Sequence, residues 1–106
     1  MSESDIVRAI LALPLPAVLF RNQVGAARTL GGMRISTGLG KGSSDIVGFT
    51  NPGGKFIAIE VKDGDESDPT PEQLAFLDSV NRAGGIAFLA RSVQDVVDFL
   101  LRGKKI

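Results

Sequence analysis

The chain has 106 residues, 43% hydrophobic and 23% charged, which suits one globular domain, residues 1–106, and is too short for two. It contains no histidine and no cysteine, which excludes histidine-based triads, zinc sites with histidine or thiolate ligands, and disulfides. The net charge is zero, but residues 1–44 are basic and residues 60–78 strongly acidic, an asymmetry that suits a cation site beside a phosphate-binding surface.

Neither a membrane span nor a signal peptide is visible in the sequence. The longest apolar run, residues 10–20, contains two prolines and is too short to cross a bilayer. Glu3 and Asp5 stand where a signal peptide needs basic residues. We therefore expect no membrane association and a cytoplasmic location.

The first part of the chain predicts one helix followed by four strands. Ser2 or Ser4 caps a helix that runs to about Leu13, where Pro14 and Pro16 stop it. Apolar composition predicts strands at 17–21, 33–36, 45–50 and 55–62, and glycine predicts a turn or loop at 25–32 and an irregular loop at 38–44. The sequence Asn-Pro-Gly-Gly at 51–54 predicts a hairpin between the last two strands.

After an acidic loop at 63–69, the chain predicts a helix, a strand and a helix. Thr70 as N-cap, Pro71 and Gln73 begin a helix that runs to about Ala83 and ends at Gly84-Gly85. A buried strand at 86–90 and a helix at 93–102 capped by Ser92 follow. The predicted fold is α/β, a mixed sheet flanked by helices in the order α-β-β-β-β-α-β-α, with the strands at 55–62 and 86–90 parallel and the rest an antiparallel meander.

Two carboxylates and a lysine converge in this fold. Glu60 and Lys62 are two positions apart, so they project from one strand face, and the hairpin brings Asp45 level with them. Magnesium binds typically through one or two carboxylates together with water and phosphate, so the trio predicts a divalent-cation site. The alternative is a solvated strand face with an ion pair, but charges on a strand rich in Ile and Val require a reason.

A longer ordered pattern surrounds these residues. Its parts are GLGKGSSDIVG at 38–48, GKFIAIEVK at 54–62, Thr70-x-x-Gln73-x-x-Phe76-Leu77, Gly84-Gly85-Ile86-Ala87 and, upstream, Arg21-Asn22-x-x-Gly25. The pattern resembles the virus-type replication-repair nuclease (VRR-NUC) domain of the PD-(D/E)XK nuclease superfamily, in particular a stand-alone phage-type member. The resemblance covers about residues 3–90 and implies a restriction-endonuclease-like fold.

The resemblance also implies roles for individual residues. Asp45, Glu60, Lys62 and Gln73 would form the catalytic set, with Mg²⁺ or Mn²⁺ held by Asp45, Glu60 and the Val61 carbonyl. Lys62 would position or activate the attacking water and stabilise charge at the phosphate. Glu3 matches a further acidic residue often found in the first helix. Local alternatives exist for two of them: Gln73 completes a helix capping box, and acids such as Glu3 favour helix starts.

We expect DNA contacts from Arg21, Asn22, Lys41, Ser43 and Ser44. The alternatives are that Arg21 and Asn22 are strand-end surface residues and that the glycine loop is a simple turn. Because one site cuts one strand, cutting a four-way junction symmetrically needs a two-fold homodimer. The expected function is a Mg²⁺- or Mn²⁺-dependent, structure-selective endonuclease, a Holliday-junction resolvase in a bacterial or phage-infected cell. Alternatives are a nuclease for flaps or other branched DNA, a non-catalytic nucleic-acid-binding domain, or an α/β subunit with no nucleic-acid role.

Overall fold

The computed structural model describes residues 1–23, 25–64 and 68–103, and the side chains of all of these except residues 25–28 and 35–37. Within this part of the chain three helices and six strands are present. They are α1 (Glu3–Leu11), β1 (Ala17–Arg21), β2 (Gly25–Arg28), β3 (Arg34–Thr37), β4 (Ile46–Thr50), β5 (Phe56–Val61), α2 (Pro71–Arg82), β6 (Ile86–Ala90) and α3 (Val93–Arg102).

Four strands form one mixed sheet in the order β1-β4-β5-β6. The pairs β1–β4 and β4–β5 are antiparallel, and β5–β6 is parallel, with α2 as the crossover between its strands. The predicted fold class, a restriction-endonuclease-like mixed sheet flanked by helices, is confirmed. The β4–β5 hairpin closes over residues 51–54 as the turn signal indicated.

The core forms two layers because side chains alternate along the central strand β5. Ile57, Ile59 and Val61 pack with α1 and α3 on one face of the sheet. Ala58 packs on the other face with Leu77 and Val80 of α2 and with Ala87. Glu60 lies on the same face as Ala58, two positions further along, so α2 is the helix that reaches it.

The segment between β1 and β4 differs from the prediction. Residues 25–32 were expected to be a turn or loop, but Gly25–Arg28 forms β2 and pairs with β3 in a two-stranded ribbon outside the main sheet. The described chain therefore has one strand more than predicted, and the ribbon interrupts the expected meander. Glycine and alanine have low strand propensity, so β2 owes its conformation to pairing with β3 rather than to its own composition.

The helices begin where their caps predicted. Ser2, Thr70 and Ser92 are the three N-caps, and Gly103 ends α3 in the left-handed conformation at φ 66°. Helix α1 ends at Leu11, two residues before the predicted end, because the residue before Pro14 is disfavoured in helical conformation. Of the predicted acidic loop at 63–69, residues 65–67 lie outside the described residues. No helix among the described residues is long and apolar enough to cross a membrane.

Strands β1 and β4 approach each other unusually closely at Gly48. A Cβ atom built there would clash with the Val18 carbonyl oxygen, so only glycine fits. Beyond the ladder, the Asn22 N–H donates to the Asp45 carbonyl oxygen at 2.7 Å. The end of β1 is thereby fixed beside the start of β4, where the predicted site residues begin.

Candidate active site

The hairpin brings Asp45 to the end of β5, as its spacing predicted. Ile46 is opposite Ile59 in the β4–β5 register, so the chain preceding β4 lies beside the residues that follow Ile59. The Val61 N–H donates to Asp45 Oδ2 at 2.7 Å, which fixes the carboxylate against the strand. In an extended strand the N–H and C=O of one residue point to the same side, so the Val61 carbonyl also faces Asp45.

Glu60 is a buried carboxyl group on the central strand. It is 1% exposed, and its Oε1 accepts a hydrogen bond from Gln73 Nε2 at 2.9 Å. Its Oε2 is buried and has no hydrogen-bond donor among the described residues. Burial, followed by the nearby Asp45 carboxylate, raises the pKa of Glu60 to about 8, and the Lys62 charge opposes this rise.

The donor set at this point fits a hard divalent cation. Burial and the Asp45 carboxylate favour the protonated form of Glu60, and a bound cation would favour the ionised form, which is the form that binds metal. The described residues contain no cluster of three or more Asp, Glu, His or Cys side chains placed to hold a metal. The protein ligands available are therefore the Asp45 and Glu60 carboxylates with the Val61 carbonyl, a set to which Mg²⁺ typically adds water and phosphate.

Lys62 follows directly after β5. Its N–H donates to the Ala90 carbonyl at 3.0 Å, and strand alternation directs its side chain to the face that carries Glu60. The Lys62 ammonium lies near enough to lower the pKa of Glu60, yet it forms no ion pair with any carboxylate of the described chain. Within the described ranges no carboxylate neutralises the lysine, so an external anion can bind to it.

Gln73 completes the capping box and also contacts Glu60. Its Oε1 accepts from the Thr70 N–H at 2.8 Å, which completes the capping box of α2. Its Nε2 donates to Glu60 at 2.9 Å. One amide therefore joins the start of the helix to the buried carboxylate, and the two interpretations are compatible.

The glycine loop at 38–44 is organised by Asn22, which is buried. Asn22 Nδ2 donates to Ser43 Oγ and to the Ser44 carbonyl, both at 2.8 Å, and Oδ1 accepts from the Leu39 N–H at 3.1 Å. Ser43 Oγ in turn donates to the Gly40 carbonyl at 2.6 Å. The side chains of Asn22 and Ser43 thus bond within the loop, and Ser44 is 1% exposed. Direct DNA contact by these three residues stays a prediction.

The same loop packs against the start of α2. Gly42 has φ 87°, and a Cβ atom there would lie 2.7 Å from Glu72 Cβ, so the approach requires glycine. Lys41, beside it, is exposed. The loop therefore joins the end of β1, Asp45 and the helix that carries Gln73, and it presents a cation at the surface.

A cleft of about 450 Å³ opens beside Asp45. Its walls come from α1, the end of β1, the glycine loop and α2, and the lining residues are Glu3, Ser4, Val7, Arg21, Asn22, Gln23, Gly42, Ser43, Asp45 and Gln73. Exposed Arg21 donates to Ser4 Oγ at 3.3 Å, which joins two walls of the cleft. Ser4 was missed by sequence reasoning, although its position beside Glu3 and one turn from Val7 on the helix is a usable signal.

One family model matches the chain. The model of the VRR-NUC domain matches residues 27–94, nearly two thirds of the chain. The matched segment contains Asp45, Glu60, Lys62 and Gln73, whereas Glu3, Arg21 and Asn22 precede it. A search of curated proteins found no match.

Proposed function

Because the chain belongs to the VRR-NUC domain family, whose members are nucleases, we propose that it is a metal-dependent, structure-selective DNA endonuclease with residues 1–106 as its single domain. One observation carries the proposal: Glu60 is buried, its Oε2 has no donor, and Asp45 lies beside it. Ionising such a buried carboxyl group costs free energy, which a bound cation would offset. Lys62 then provides a cation for the substrate.

Asp45, Glu60 and the Val61 carbonyl are the proposed ligands of Mg²⁺ or Mn²⁺. A bound divalent ion supplies Lewis-acid chemistry at the scissile phosphate. The Val61 N–H holds Asp45, and Gln73 holds Glu60, so both carboxylates are oriented before the ion binds. This pre-orientation favours one geometry of the site over the many that free side chains would adopt.

The remaining residues act on the DNA. Lys62 offsets the negative charge that grows on the phosphate in the transition state, and it positions the attacking water. Lys41 and Arg21, both exposed, lie on the loop and wall that border the cleft and contact flanking phosphates. Asn22 supports this surface by holding the glycine loop. Glu3 adds an acidic group to the cleft wall.

The proposed substrate is a four-way DNA junction, cut by a homodimer in the cytoplasm of a bacterial or phage-infected cell. One chain contributes one proposed site, Asp45 with Glu60, and paired cuts need two such sites related by two-fold symmetry. Flaps and other branched DNA are the nearest alternative substrates.

A cleavage panel tests the activity. The parent is incubated with labelled single-stranded, duplex, flap and four-way-junction DNA in Mg²⁺, Mn²⁺ or EDTA, beside Lys62→Ala, Asp45→Asn and the control Lys55→Ala. We expect metal-dependent cleavage of branched DNA by the parent and the control only. Equal cleavage by Lys62→Ala would refute the assignment, and binding without any cleavage would favour the non-catalytic domain.

A mixed-dimer experiment tests the assembly. Parent and Lys62→Ala chains carrying different tags are mixed, and the mixed dimer is isolated and incubated with a cruciform plasmid. We expect the mixed dimer to nick the plasmid and the parent dimer to linearise it. Linear product from the mixed species, or a monomer by light scattering at working concentration, would contradict the proposed homodimer.

A further inference from the structure

The β2–β3 ribbon stands apart from the rest of the fold. It pairs with no strand of the four-stranded sheet. Its two ends lie at the rim of the candidate site, since a Cβ atom on Gly38 would lie 2.6 Å from the Gln23 carbonyl and the Leu39 N–H donates to Asn22. The ribbon is therefore an arm anchored where Asn22 meets the glycine loop.

The arm belongs to a segment with cations and no acids. Residues 22–44 contain Arg28, Arg34 and Lys41 and no Asp or Glu. The backbone register places Arg28 opposite Arg34, so two cationic positions share one rung of the ribbon. Arg34 is exposed and forms no ion pair with any carboxylate in the described ranges. A polyanion is the partner that such a pair of arginines fits.

The tip of the arm is apolar and ordered. The Thr29 N–H donates to the Met33 carbonyl at 2.8 Å, and the Met33 N–H donates to Thr29 Oγ1 at 3.1 Å, so the turn is closed. Leu30 is fully exposed, and Met33 is 68% exposed. A defined turn thus presents two large apolar side chains to solvent, which is typical of a contact surface.

We propose that the β2–β3 ribbon is a second DNA-binding element, separate from the cleavage site. Arg28 and Arg34 bind backbone phosphates, and Leu30 and Met33 pack against base edges or unstacked bases at a branch point, as apolar wedges do in other DNA complexes. This inference rests on the proposed nuclease function. DNA is favoured over a second protein copy because every charge in residues 22–44 is positive.

Two double variants test the arm: Arg28→Ala with Arg34→Ala, and Leu30→Ser with Met33→Ser. The control is Lys55→Ala, an exposed cation at the opposite end of the β4–β5 hairpin from Asp45. Affinity for a fluorescein-labelled four-way junction and a matched duplex is measured by anisotropy in EDTA, at several salt concentrations. Cleavage is then measured in Mg²⁺ at saturating junction.

We expect the arginine variant to bind both DNA forms about tenfold more weakly, with a salt-dependence slope reduced by about two. The tip variant should lose more affinity for the junction than for the duplex. Both should keep the parent cleavage rate at saturating DNA and raise KM. If either double variant melts earlier than the parent, the single variants Arg34→Ala and Leu30→Ser replace it, because both side chains are exposed.

The outcomes separate the two proposals. A parent that neither binds nor cuts any DNA refutes the nuclease function itself. A parent that cuts junctions while the arginine variant binds as tightly as Lys55→Ala overturns the ribbon proposal alone. Conversion of a dimer to a monomer by the tip variant, with unchanged DNA affinity, would assign the ribbon to a second copy of the chain and also overturn it.

Discussion

At the turn end of the β4–β5 hairpin, Phe49 and Phe56 are opposite each other, and their side chains are 42% and 41% exposed. At the other end of the same two strands, the Glu60 carboxyl group is 1% exposed and Asp45 lies beside it. Burial of apolar surface alone would favour the reverse distribution. The inversion is what the proposed active site predicts, because a function at the charged end would offset its cost in stability.

Hydrogen bonding also differs between the turn end and the site end of the β4–β5 hairpin. At the turn, Thr50 and Lys55 exchange bonds through backbone and hydroxyl groups at 2.9 Å, and the Gly54 N–H donates to Thr50. At the site end, the described residues include two buried side-chain oxygens without partners, Glu60 Oε2 and Ser44 Oγ. Unsatisfied polar groups are rare in folded proteins, so their occurrence at the site end supports the proposal that a ligand binds there.

The largest difference between the ends should appear in two lysine variants. Lys62→Ala removes the cation beside Glu60, and Lys55→Ala removes the same side chain at the turn. We expect Lys62→Ala to reduce the single-turnover cleavage rate about 10²–10³-fold, because a charge that stabilises the transition state is lost. Lys55→Ala should cleave as the parent does. Equal cleavage rates for Lys62→Ala and Lys55→Ala would contradict a functional difference between the two ends of the hairpin.

Glu60→Gln should separate stability from function. In metal-free protein the pKa of Glu60 is about 8 when folded and near 4.5 when unfolded, so between these values the folded chain retains a proton that the unfolded chain has released. The parent therefore loses stability as pH rises through this window, by at most about 1.4 kcal/mol for each pH unit. Glu60→Gln should keep its stability through the same window, because glutamine does not titrate. Urea unfolding in EDTA at pH 5, 6.5 and 8 measures the free energy of unfolding of both proteins.

In EDTA at pH 8 the parent has lost stability and Glu60→Gln has not. Divalent metal should reverse this difference in stability between the two proteins. Mg²⁺ stabilises the parent in proportion to its binding, whereas Glu60→Gln gains little because one ligand charge is gone. The exposed Asp78, paired with Arg82 at 2.9 Å, provides the control Asp78→Asn, which should follow the parent in both conditions. A parent whose stability is flat from pH 5 to 8 in EDTA would contradict the buried-carboxyl interpretation.

A smaller effect on cleavage should distinguish the capping bond of Gln73 from its hydrogen bond to Glu60. Thr70→Ala removes the hydroxyl that caps the helix but leaves the backbone bond to Gln73 and the Gln73 bond to Glu60, so it should lower stability by about 1 kcal/mol and reduce cleavage much less than Gln73→Ala. Gln73→Ala removes the capping bond and also the donor to Glu60, so it should lower stability similarly and reduce cleavage about tenfold. Thermal melts and saturating-substrate rates distinguish them. Equal cleavage by both variants would leave Gln73 with the cap as its whole role.

The smallest effect on stability and cleavage should come from a substitution at the turn end of the hairpin. Phe56→Thr removes a ring that is already 41% exposed and retains a side chain suited to strands. We expect a stability loss of about 1 kcal/mol or less and unchanged cleavage, by chemical denaturation and by the junction assay. A large loss of activity would show that the turn end also participates in function.

Most of the fold was predictable because its signals are local. The caps at Thr70 and Ser92, the hairpin turn at 51–54 and the apolar run at 86–90 each determine an element by nearby residues. Strand β2 was missed because Gly25-Ala26-Ala27-Arg28 has neither alternation nor strand propensity. Its conformation depends on a partner strand, which the composition of a single segment does not encode.

The candidate site also has features that the sequence could predict and features that it could not. The convergence of Asp45 with Glu60 and Lys62 follows from strand period and hairpin closure, and the structure has this geometry. The role of Asn22 was not predictable, because its bonds to Leu39, Ser43 and Ser44 cross 17 to 22 positions of sequence. Neither was the unpartnered oxygen of Glu60, since burial is a property of the whole fold.

The amide of Gln73 links the site to the motion of α2. Its two hydrogen bonds hold the first turn of the helix and the Glu60 carboxylate together. Fraying of that turn therefore releases the carboxylate, and any ligand that requires an oriented Glu60 must oppose the fraying. Backbone amides at the start of α2 should accordingly exchange with deuterated solvent more slowly once a divalent ion is bound, while amides near Asn81 keep their rate. The helix start thus reports occupancy of the site without touching the ligand.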